Sequence, residues 1–337
     1  MRRSNGALPL VRRYDAVLLD LDGVVYTGAH AVPHAVPSLR RLAATGLRIA
    51  YVTNNGYRPT GDVAAHLRRL GVPAADGDVV TSAQAAARLA AERCGRQARV
   101  LVVGGEALRA AIREQGLQPV KSAKDELSGV VQGFAPTVSW RDLTEAGYAV
   151  ARGVPWIVTN ADLTAPTSRG IAPGNGALVA VVRAATGATP VVAGKPSPSL
   201  LREAADRVVA RRPLMVGDSL DTDIEGACRA GYDSLLVLTG RTCPVELLTA
   251  PAHRRPTHVG ADLRALFAPT RVLDRRAGGW GCDGWHARVE QGELLVRGRG
   301  DACAGLWAAC AAAWGAPSPP DLAPALTILD HCADASA

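Results

Sequence analysis

The chain has 337 residues, 48% of them apolar and 20% charged, which predicts a globular protein of roughly two or three compact units with a sizeable core. The net charge of +7 comes from arginines scattered through amphipathic segments, so we expect no nucleic-acid partner, although a mildly positive field would attract a small phosphate ester. The seven cysteines show neither metal nor disulfide spacing, and the chain has no apolar leader, so a cytoplasmic protein is predicted. It has no run of about 18 apolar residues, so we expect that it does not enter a membrane.

Short apolar runs typical of buried strands alternate with helical patterns through residue 266. Strands are predicted at 16–19, 48–52, 99–103, 129–131, 156–158, 214–216 and 234–238. Helices are predicted at 36–45, 62–70, 82–93, 106–115 and 199–209. Continuous apolar strands separated by helices indicate an α/β fold with a mostly parallel sheet that helices cover on both faces.

The first predicted strand ends in DLDGVVYTG, which places Asp20 and Asp22 on one face of an extended segment. Two carboxylates at the end of a buried strand repel each other, and a divalent cation or a shared proton would offset the repulsion. Gly23 permits a tight path on which backbone amides can approach a phosphate. An ordinary Asp-Gly turn is the alternative, but the apolar run before it favours a functional site.

Polar residues also follow the second strand and a later apolar run. At Thr53, Asn54 and Asn55, a hydroxyl and amides can bind phosphate oxygens, although a helix cap or turn uses the same residue types. Lys195 in GKPSP is one of three lysines, and it can neutralise a carboxylate together with an incoming phosphoryl group. The alternative is a surface lysine in a turn.

Three aspartates, Asp218, Asp221 and Asp223, follow the strand at 214–216 in the sequence VGDSLDTDIEGACRAG. Oxygen ligands of this kind suit Mg²⁺. Acids in the first turn of a helix also favour its macrodipole, which explains one of the three but hardly all. Because ligands bind beyond the carboxyl ends of strands in an open α/β sheet, all four clusters are predicted to meet at one site.

The α/β rhythm ends after Leu266 in a segment rich in Gly, Arg and Trp. We therefore predict a separate α+β appendage over residues 271–337. A β-hairpin with its turn at Gln291 and Gly292 is expected there, followed by an Ala-rich helix over 302–314 and a Pro-rich tail.

In this order the four clusters resemble the signature of the haloacid dehalogenase (HAD) superfamily, in which a DxD motif is followed by Thr or Ser, Lys and an acidic pair. The strings DLDGVVYTG, TNNGYRPT, TNADLTAPTSRGIAPGNGALVAVV, GKPSPSLL and GDSLDTDIEGACRAG are similar to those of subfamily IIA, the NagD-like phosphatases, over residues 14–265. The resemblance implies a Rossmannoid core at 10–83 and 187–266. A large α/β cap of the C2 type would be inserted at 84–186, between the second and third motifs.

The resemblance also implies the role of each motif residue. Asp20 would be the nucleophile that forms an aspartyl-phosphate, and Asp22 the general acid and base. Mg²⁺ would be held by Asp20, the backbone carbonyl of Asp22 and Asp218, with Asp223 holding a water of its shell. The phosphoryl oxygens would be bound by Gly23, Thr53, Asn54, Asn55 and Lys195. No role is implied for Asp221.

The cap loop at 160–170 is expected to reach into the site and to read the leaving group, through Asn160, Asp162, Thr164 and Arg169. Related pyridoxal-phosphate phosphatases carry bulky Trp and His before the proline of this loop, whereas Thr164 and Ala165 precede Pro166 here. A small polyol phosphate is therefore the expected substrate, with glycerol 3-phosphate favoured.

Other substrates and other protein classes remain open. Phosphoglycolate, pyridoxal phosphate and nitrophenyl phosphate are alternatives within the same branch. The motif set and the large cap argue against a phosphomutase or a nucleotidase. The intact Asp20, Asp22, Lys195, Asp218 and Asp223 argue against a binding or regulatory module that has lost its chemistry.

The appendage resembles the extension of glycerol-3-phosphate phosphatases from high-GC bacteria, which has been likened to part of an acetyltransferase. Residues 297–302, RGRGDA, loosely fit the acetyl-CoA loop pattern R-x-x-G-x-A. The segment is too short for a full acetyltransferase. A packing or dimerisation role is the expectation, and a homodimer is compatible with it.

Overall fold

The computed structural model describes residues 8–124, 126–167, 169–276 and 278–334. The first part of the core contains alternating strands and helices, most of them within a residue or two of the predicted bounds. They are β1 Ala16–Asp20, β2 Tyr26–Thr27, β3 His30–Ala31, α1 Ala35–Ala43, β4 Arg48–Thr53, α2 Thr60–Arg69, β5 Val79–Thr81 and α3 Ser82–Cys94.

The cap follows as a second α/β unit. Its elements are β6 Arg99–Val103, α4 Glu106–Glu114, β7 Gln118–Val120, β8 Gly129–Gln132, α5 Trp140–Val150, β9 Trp156–Val158, β10 Thr164–Thr167, β11 Gly170–Pro173, α6 Asn175–Thr186 and β12 Val191–Val192. Five strands form a parallel sheet in the order β12-β9-β8-β6-β7, and β10 pairs with β11 in an antiparallel hairpin.

The chain then returns to the core and adds three more strands. The elements are α7 Pro198–Arg207, β13 Pro213–Gly217, a π-helical turn Leu220–Ile224, α8 Glu225–Ala230, β14 Asp233–Val237, α9 Pro244–Leu248 and β15 His258–Gly260. The core sheet is parallel and has the order β15-β14-β13-β1-β4-β5. The predicted α/β class with an inserted α/β cap is confirmed.

Burial explains why the core sheet forms where it does. Every residue of β1 is buried, as the continuous apolar run predicts for a central strand covered on both faces. The cap boundary differs from the prediction, because β12 pairs with β9 in the cap sheet instead of starting the second part of the core. At the first junction between core and cap, the alanines of α3 are buried in a hydrophobic cluster that contains both core and cap residues.

The appendage adds more regular structure than the sequence suggested. Its elements are β16 Asp274–Arg276, β17 Gly279–Cys282, β18 Trp285–Glu290, β19 Glu293–Arg297, α10 Ala302–Trp314 and α11 Ala323–Asp334. The predicted hairpin is β18–β19, and Gln291 and Gly292 both have positive φ angles, of 50° and 85°. A β-hairpin turn of this kind needs two such residues. The strands β16 and β17 and the helix α11 were not predicted; residues 335–337 lie outside the described part.

Candidate active site

The four polar clusters meet at the carboxyl edge of the core sheet. The Lys195 Nζ atom donates hydrogen bonds to Asp20 Oδ1 at 2.5 Å and to Asp223 Oδ1 at 2.6 Å. Asp20, Asp218 and Asp223 each offer a carboxylate oxygen within 4.8 Å of the other two. For three of the clusters the convergence follows from the topology, because β1, β4 and β13 are parallel neighbours that end side by side. Lys195 instead follows β12 of the cap sheet. Residues almost two hundred positions apart thus form one buried cluster.

Backbone amides hold the two later acids in place. Asp223 lies on the π-helical turn, and its Oδ2 atom accepts hydrogen bonds from the amides of Asp218 and Ser219, both at 3.2 Å. The Oδ2 atom of Asp218 accepts one from the amide of Arg241 at 2.7 Å. The other carboxylate oxygen of Asp223, Oδ1, remains available to Lys195.

Glycines allow the backbone to pass close to these acids. A Cβ atom at Gly240 would lie 1.9 Å from Asp218 Oδ2, and one at Gly217 would lie 2.2 Å from Asp223 Cβ. Gly23 has a φ of 84° and would place a Cβ 2.3 Å from Asp218 Oδ2. Gly23 therefore serves the packing of Asp218 as well as the tight turn after β1.

The cluster contains more carboxyl groups than positively charged groups. Burial raises the pKa of Asp20 well above its usual value; Lys195 opposes this, and the charges of Asp223 and Asp218 add to it. Burial and the charge of Asp223 raise the pKa of Asp218 to about 6. Burial alone would lower the pKa of Lys195, but Asp20 and Asp223 raise it, so the lysine is charged. One ammonium thus faces three carboxylates.

A divalent cation fits this deficit. If all three carboxylates were ionised, they and one ammonium would leave two formal negative charges uncompensated in a buried place, which is strongly unfavourable and is the reason for the raised pKa values of Asp20 and Asp218. Hard carboxylate oxygens, with no nitrogen or sulfur among them, are the ligand set that Mg²⁺ takes. Asp20, Asp218 and Asp223 would hold the ion, and a contribution from the backbone carbonyl of Asp22 stays a prediction.

Asp22 differs from the other three acids because it is exposed. Partial desolvation raises its pKa, and the charges of Lys195, Arg58 and His66 lower it by less. A carboxyl group with a raised pKa, open to an incoming ligand, can hold and release a proton. Asp221 is also exposed and accepts a hydrogen bond from the Ser219 hydroxyl, which fits an acid at a helix start.

The TNN cluster has a structural use that the sequence did not predict, and its predicted binding of phosphate stays a prediction. The Asn54 side chain donates to the Lys195 carbonyl oxygen at 3.1 Å and accepts from the Lys195 amide at 2.8 Å, so it holds the lysine backbone. The Oδ1 atom of Asn55 accepts from the amides of Tyr57 and Arg58. Buried Thr53 accepts from the Asn55 amide at 3.1 Å. Within the described residues its hydroxyl proton has no acceptor, so it can donate to a phosphate oxygen.

Two of the four cap residues lie at the junction with the core. Asn160 donates to the Asn54 carbonyl oxygen at 2.8 Å, and Asp162 lies 3.4 Å from the Asn54 side-chain amide. Burial raises the pKa of Asp162, while the hydrogen bond from Asn54 and the charge of Lys195 lower it.

Thr164 and Arg169 belong instead to the β10–β11 hairpin and are exposed. The hydroxyl of Thr167, next to this turn, accepts from the Arg169 amide at 3.2 Å. The side chain of Pro166 lies outside the described residues, so the part of the loop argument that depends on it stays a prediction.

Sequence reasoning missed the loop that follows β14. Its sequence TGRT contributes Thr239, whose hydroxyl donates to the Gly23 carbonyl oxygen at 2.6 Å, and the Arg241 amide on Asp218. The signal was available, because these polar residues stand at a strand end in the same way as the other clusters.

Comparisons with known proteins agree with this arrangement. A family model for haloacid dehalogenase-like hydrolases matches residues 17–118, and a HAD-hydrolase-like model matches residues 192–266. A third model, for a GCN5-related N-acetyltransferase like domain, matches residues 282–327, inside the appendage.

Curated relatives are phosphatases. The chain is 45% identical to a D-glycerol 3-phosphate phosphatase of Mycobacterium tuberculosis over 87% of this chain and 81% of that protein. It is 37% identical to a 5′-nucleotidase of Bacillus subtilis over 69% of this chain and 90% of that protein. The second likeness shows that the motif set and the cap do not exclude a nucleotidase, contrary to the expectation from sequence.

Solved structures give the same result. A glycerol phosphate phosphatase of Mycobacterium tuberculosis in complex with magnesium has a TM-score of 0.86 and 42% identity, with 93% of this chain and 94% of that chain covered. NagD from Escherichia coli K-12 has a TM-score of 0.68 and 30% identity, with 74% of this chain and 96% of that chain covered.

Proposed function

This chain belongs to the haloacid dehalogenase-like hydrolases, and we propose that it is a Mg²⁺-dependent phosphatase that hydrolyses glycerol 3-phosphate to glycerol and phosphate. The observation that carries the proposal is the buried cluster in which one ammonium, Lys195, faces three carboxylates within ion-binding distance of one another. The residues fit Mg²⁺ by number, by charge and by ligand type.

In the proposed reaction, two acids have the roles that the family resemblance implies. A carboxylate oxygen of Asp20 attacks phosphorus and forms an acyl phosphate, while the bond from phosphorus to the substrate oxygen breaks. Asp22 gives its proton to the departing alkoxide. A water molecule then attacks the phosphorus and passes a proton to Asp22, which releases phosphate, frees Asp20 and restores both acids. The raised pKa of Asp22 supports its part in both steps.

The remaining residues orient and neutralise the phosphoryl group. When bound, Mg²⁺ supplies positive charge that screens the phosphate dianion from the attacking carboxylate. Lys195 adds a buried positive charge beside Asp20, at the point where phosphoryl charge arrives. The Thr53 hydroxyl can donate to a phosphoryl oxygen. Asn54 keeps Lys195 in position through its two backbone hydrogen bonds.

A small polyol fits the cap side of the cleft. Asp162 lies at the core–cap junction beside Asn54, where its carboxylate can accept hydrogen bonds from substrate hydroxyls. Thr164 and Ala165 offer no aromatic ring for a flat substrate. The relative of 45% identity is named for D-glycerol 3-phosphate, which supports the same choice. A nucleoside monophosphate is the second candidate, on the strength of the nucleotidase relative.

A substrate panel tests the proposal. Phosphate release with Mg²⁺ would be compared for both enantiomers of glycerol 3-phosphate, phosphoglycolate, pyridoxal phosphate, p-nitrophenyl phosphate and a nucleoside 5′-monophosphate. We expect the highest kcat/KM for one enantiomer of glycerol 3-phosphate. A higher value for the nucleotide would reject the substrate proposed here and keep the phosphatase chemistry.

Asp20→Asn tests the mechanism independently of the substrate. The variant should fold, keep a melting temperature close to that of the parent and lose turnover on every ester. Substantial turnover by this variant would reject Asp20 as the nucleophile.

Two broader proposals concern the setting of the enzyme. In the described part of the chain, no helix is long and apolar enough to cross a membrane. We infer a cytoplasmic location from the substrate class, since small phosphate esters are cytoplasmic metabolites. A homodimer and the lack of a nucleic-acid partner stay predictions, which light scattering and an electrophoretic mobility assay would check.

A further inference from the structure

The appendage shares a hydrophobic cluster with the core. Leu247, Leu248 and Val259 of the core pack in the same cluster as Trp285 and Trp307 of the appendage. Trp285 is fully buried and Trp307 nearly so. Side chains of this size dominate the energy of the surfaces they bury. The appendage is therefore an integral part of the fold and not a tethered module.

The start of α10 argues against a cofactor loop in the appendage. The Asp301 carboxylate caps the helix by accepting from the Cys303 amide at 2.9 Å, and it also pairs with Arg271. A carboxylate thus occupies the helix start, where an acetyl-CoA loop would receive a pyrophosphate. Residues 297–302 keep the sequence pattern of such a loop, but the Asp301 carboxylate lies at the position where the loop would bind an anion.

Trp314 connects the appendage to the short helix α9. Its indole nitrogen donates to the Leu247 carbonyl oxygen at 3.1 Å. Its ring meets Trp307 edge to face at 5.7 Å, and the Arg255 guanidinium lies 5.0 Å from the ring centroid. Contacts on several sides fix the orientation of the donor. The hydrogen bond therefore holds the carboxyl end of α9 at a defined place.

The segment that precedes α9 forms hydrogen bonds to Asp218, one of the acids proposed to bind the metal. Just before the helix, the Arg241 amide donates to Asp218 Oδ2 at 2.7 Å and the Thr242 amide donates to the Asp218 carbonyl oxygen at 3.1 Å. A helix of five residues has too few internal hydrogen bonds to be stable by itself. Its location, and with it the location of both amides, depends on what packs against it.

We propose that the appendage positions Asp218 for metal binding through α9, with Trp314 as the positioning residue. This inference rests on the proposed function, since it assumes that Asp218 binds Mg²⁺. The contacts described for Trp314 are with Leu247, Trp307 and Arg255, outside the metal cluster. Trp314 acts by fixing α9 and the segment before it, in which the Arg241 amide binds the Asp218 carboxylate and the Thr242 amide binds the Asp218 backbone carbonyl.

The test compares Trp314→Phe and Trp314→Ala with a matched control in the full-length protein. Phe keeps most of the aromatic packing and removes the indole donor. The control is Trp140→Phe, because Trp140 lies on the cap and is 78% exposed. Isothermal titration measures the Mg²⁺ affinity of the metal-free protein. Hydrogen exchange of the segment containing the Arg241 and Thr242 amides reports their protection without any turnover.

We expect Trp314→Phe to weaken Mg²⁺ binding about three- to tenfold, the effect of losing one hydrogen bond, and to speed exchange in the 239–243 segment. Every measured property of Trp140→Phe should stay near that of the parent. Trp314→Ala should show a larger loss of Mg²⁺ affinity.

A lowered melting temperature in Trp314→Phe with unchanged Mg²⁺ affinity and exchange would overturn the inference. This test needs only the Trp314→Phe protein, so it can be made even if Trp314→Ala does not fold. A parent protein that binds no Mg²⁺ would instead refute the proposed function, so the two failures are distinguishable.

Discussion

Gly240→Ala adds a single methyl group beside the metal site. Gly240 has no left-handed φ, so alanine can adopt its backbone conformation. The new Cβ would lie 1.9 Å from Oδ2, 2.6 Å from Cγ and 2.9 Å from Cβ of Asp218. Ordinary contact begins near 3.4 Å. The Asp218 carboxylate or the 239–243 loop must therefore move by about 1.5 Å, a typical overpacking distortion.

The size of the effect follows from that displacement. Overpacking of this kind costs about 1–3 kcal/mol, which corresponds to roughly a 5- to 150-fold change in an equilibrium constant. Because the three nearest atoms all belong to Asp218, we expect the cost to appear mainly as weaker Mg²⁺ binding. A metal ligand misplaced by about 1 Å also lowers kcat, by up to about 10²-fold.

The assay is a Mg²⁺ titration of phosphate release, with calorimetry of Mg²⁺ binding beside it. Gly147→Ala is the matched control, because a Cβ at Gly147 in α5 meets nothing within 4 Å and should leave both measurements unchanged. The reasoning is refuted if Gly240→Ala reaches half-saturation and turnover within about twofold of the parent, since such a gap is below the 1 kcal/mol expected.

Three further substitutions probe the charges of the fold. Lys195→Met leaves two buried carboxylates without their cation, so we expect a loss of about 3–5 kcal/mol in urea unfolding of the metal-free protein and at least about a 10²-fold loss of kcat. Asp22→Asn removes the proton donor, and it should harm glycerol 3-phosphate turnover more than p-nitrophenyl phosphate turnover, because an alkoxide needs protonation more than a nitrophenolate does. Burial lowers the pKa of His258 from 6.5 to about 4. The folded state thus binds fewer protons than the unfolded state below pH 6.5, and stability should fall by up to about 3 kcal/mol as the pH drops from 6.5 to 4; His258→Gln should flatten that slope in urea titrations at pH 7.5 and 5.0.

The core and the cluster of acids could be predicted because two simple rules apply to them. Buried parallel strands appear as continuous apolar runs, and β1 is buried along its whole length. Carboxyl ends of such strands share an edge, which places Asp20, Thr53 and Asp218 together. Lys195 follows β12 of the cap sheet, so this rule does not account for its position. Both rules depend on local sequence and on topology alone, without side-chain geometry.

The function of Asn54 could not be predicted, because it depends on a close approach in three dimensions. Its side chain pairs with the Lys195 backbone, 141 positions away. That approach requires Gly194, where a Cβ would lie 2.7 Å from Asn54 Oδ1. Nothing local to the TNN sequence distinguishes an asparagine that binds phosphate from one that holds a lysine.

The sequence predicts less regular structure in the appendage than is present, because glycine and proline residues that usually interrupt helices and strands have structural uses there. Gly279 begins a strand, and a Cβ there would lie 2.3 Å from the Ala287 carbonyl oxygen, so the strand needs glycine for close packing. Pro324 stands in the first turn of α11, where the missing amide would have no partner in the helix. Glycine and proline indicate loops on average, and here both lie within regular elements.

The contacts that orient the acids explain why so short a motif can specify the site. Asp218 and Asp223 accept hydrogen bonds from the backbone amides of Arg241, Asp218 and Ser219. Any residue except proline supplies such a donor, so positions 219 and 241 need no particular side chain for this purpose. The positions that need a particular residue are instead those where the backbone passes close to the acids, and these positions are glycines. A motif built from aspartates and glycines is therefore what a site made of carboxylates and backbone donors requires.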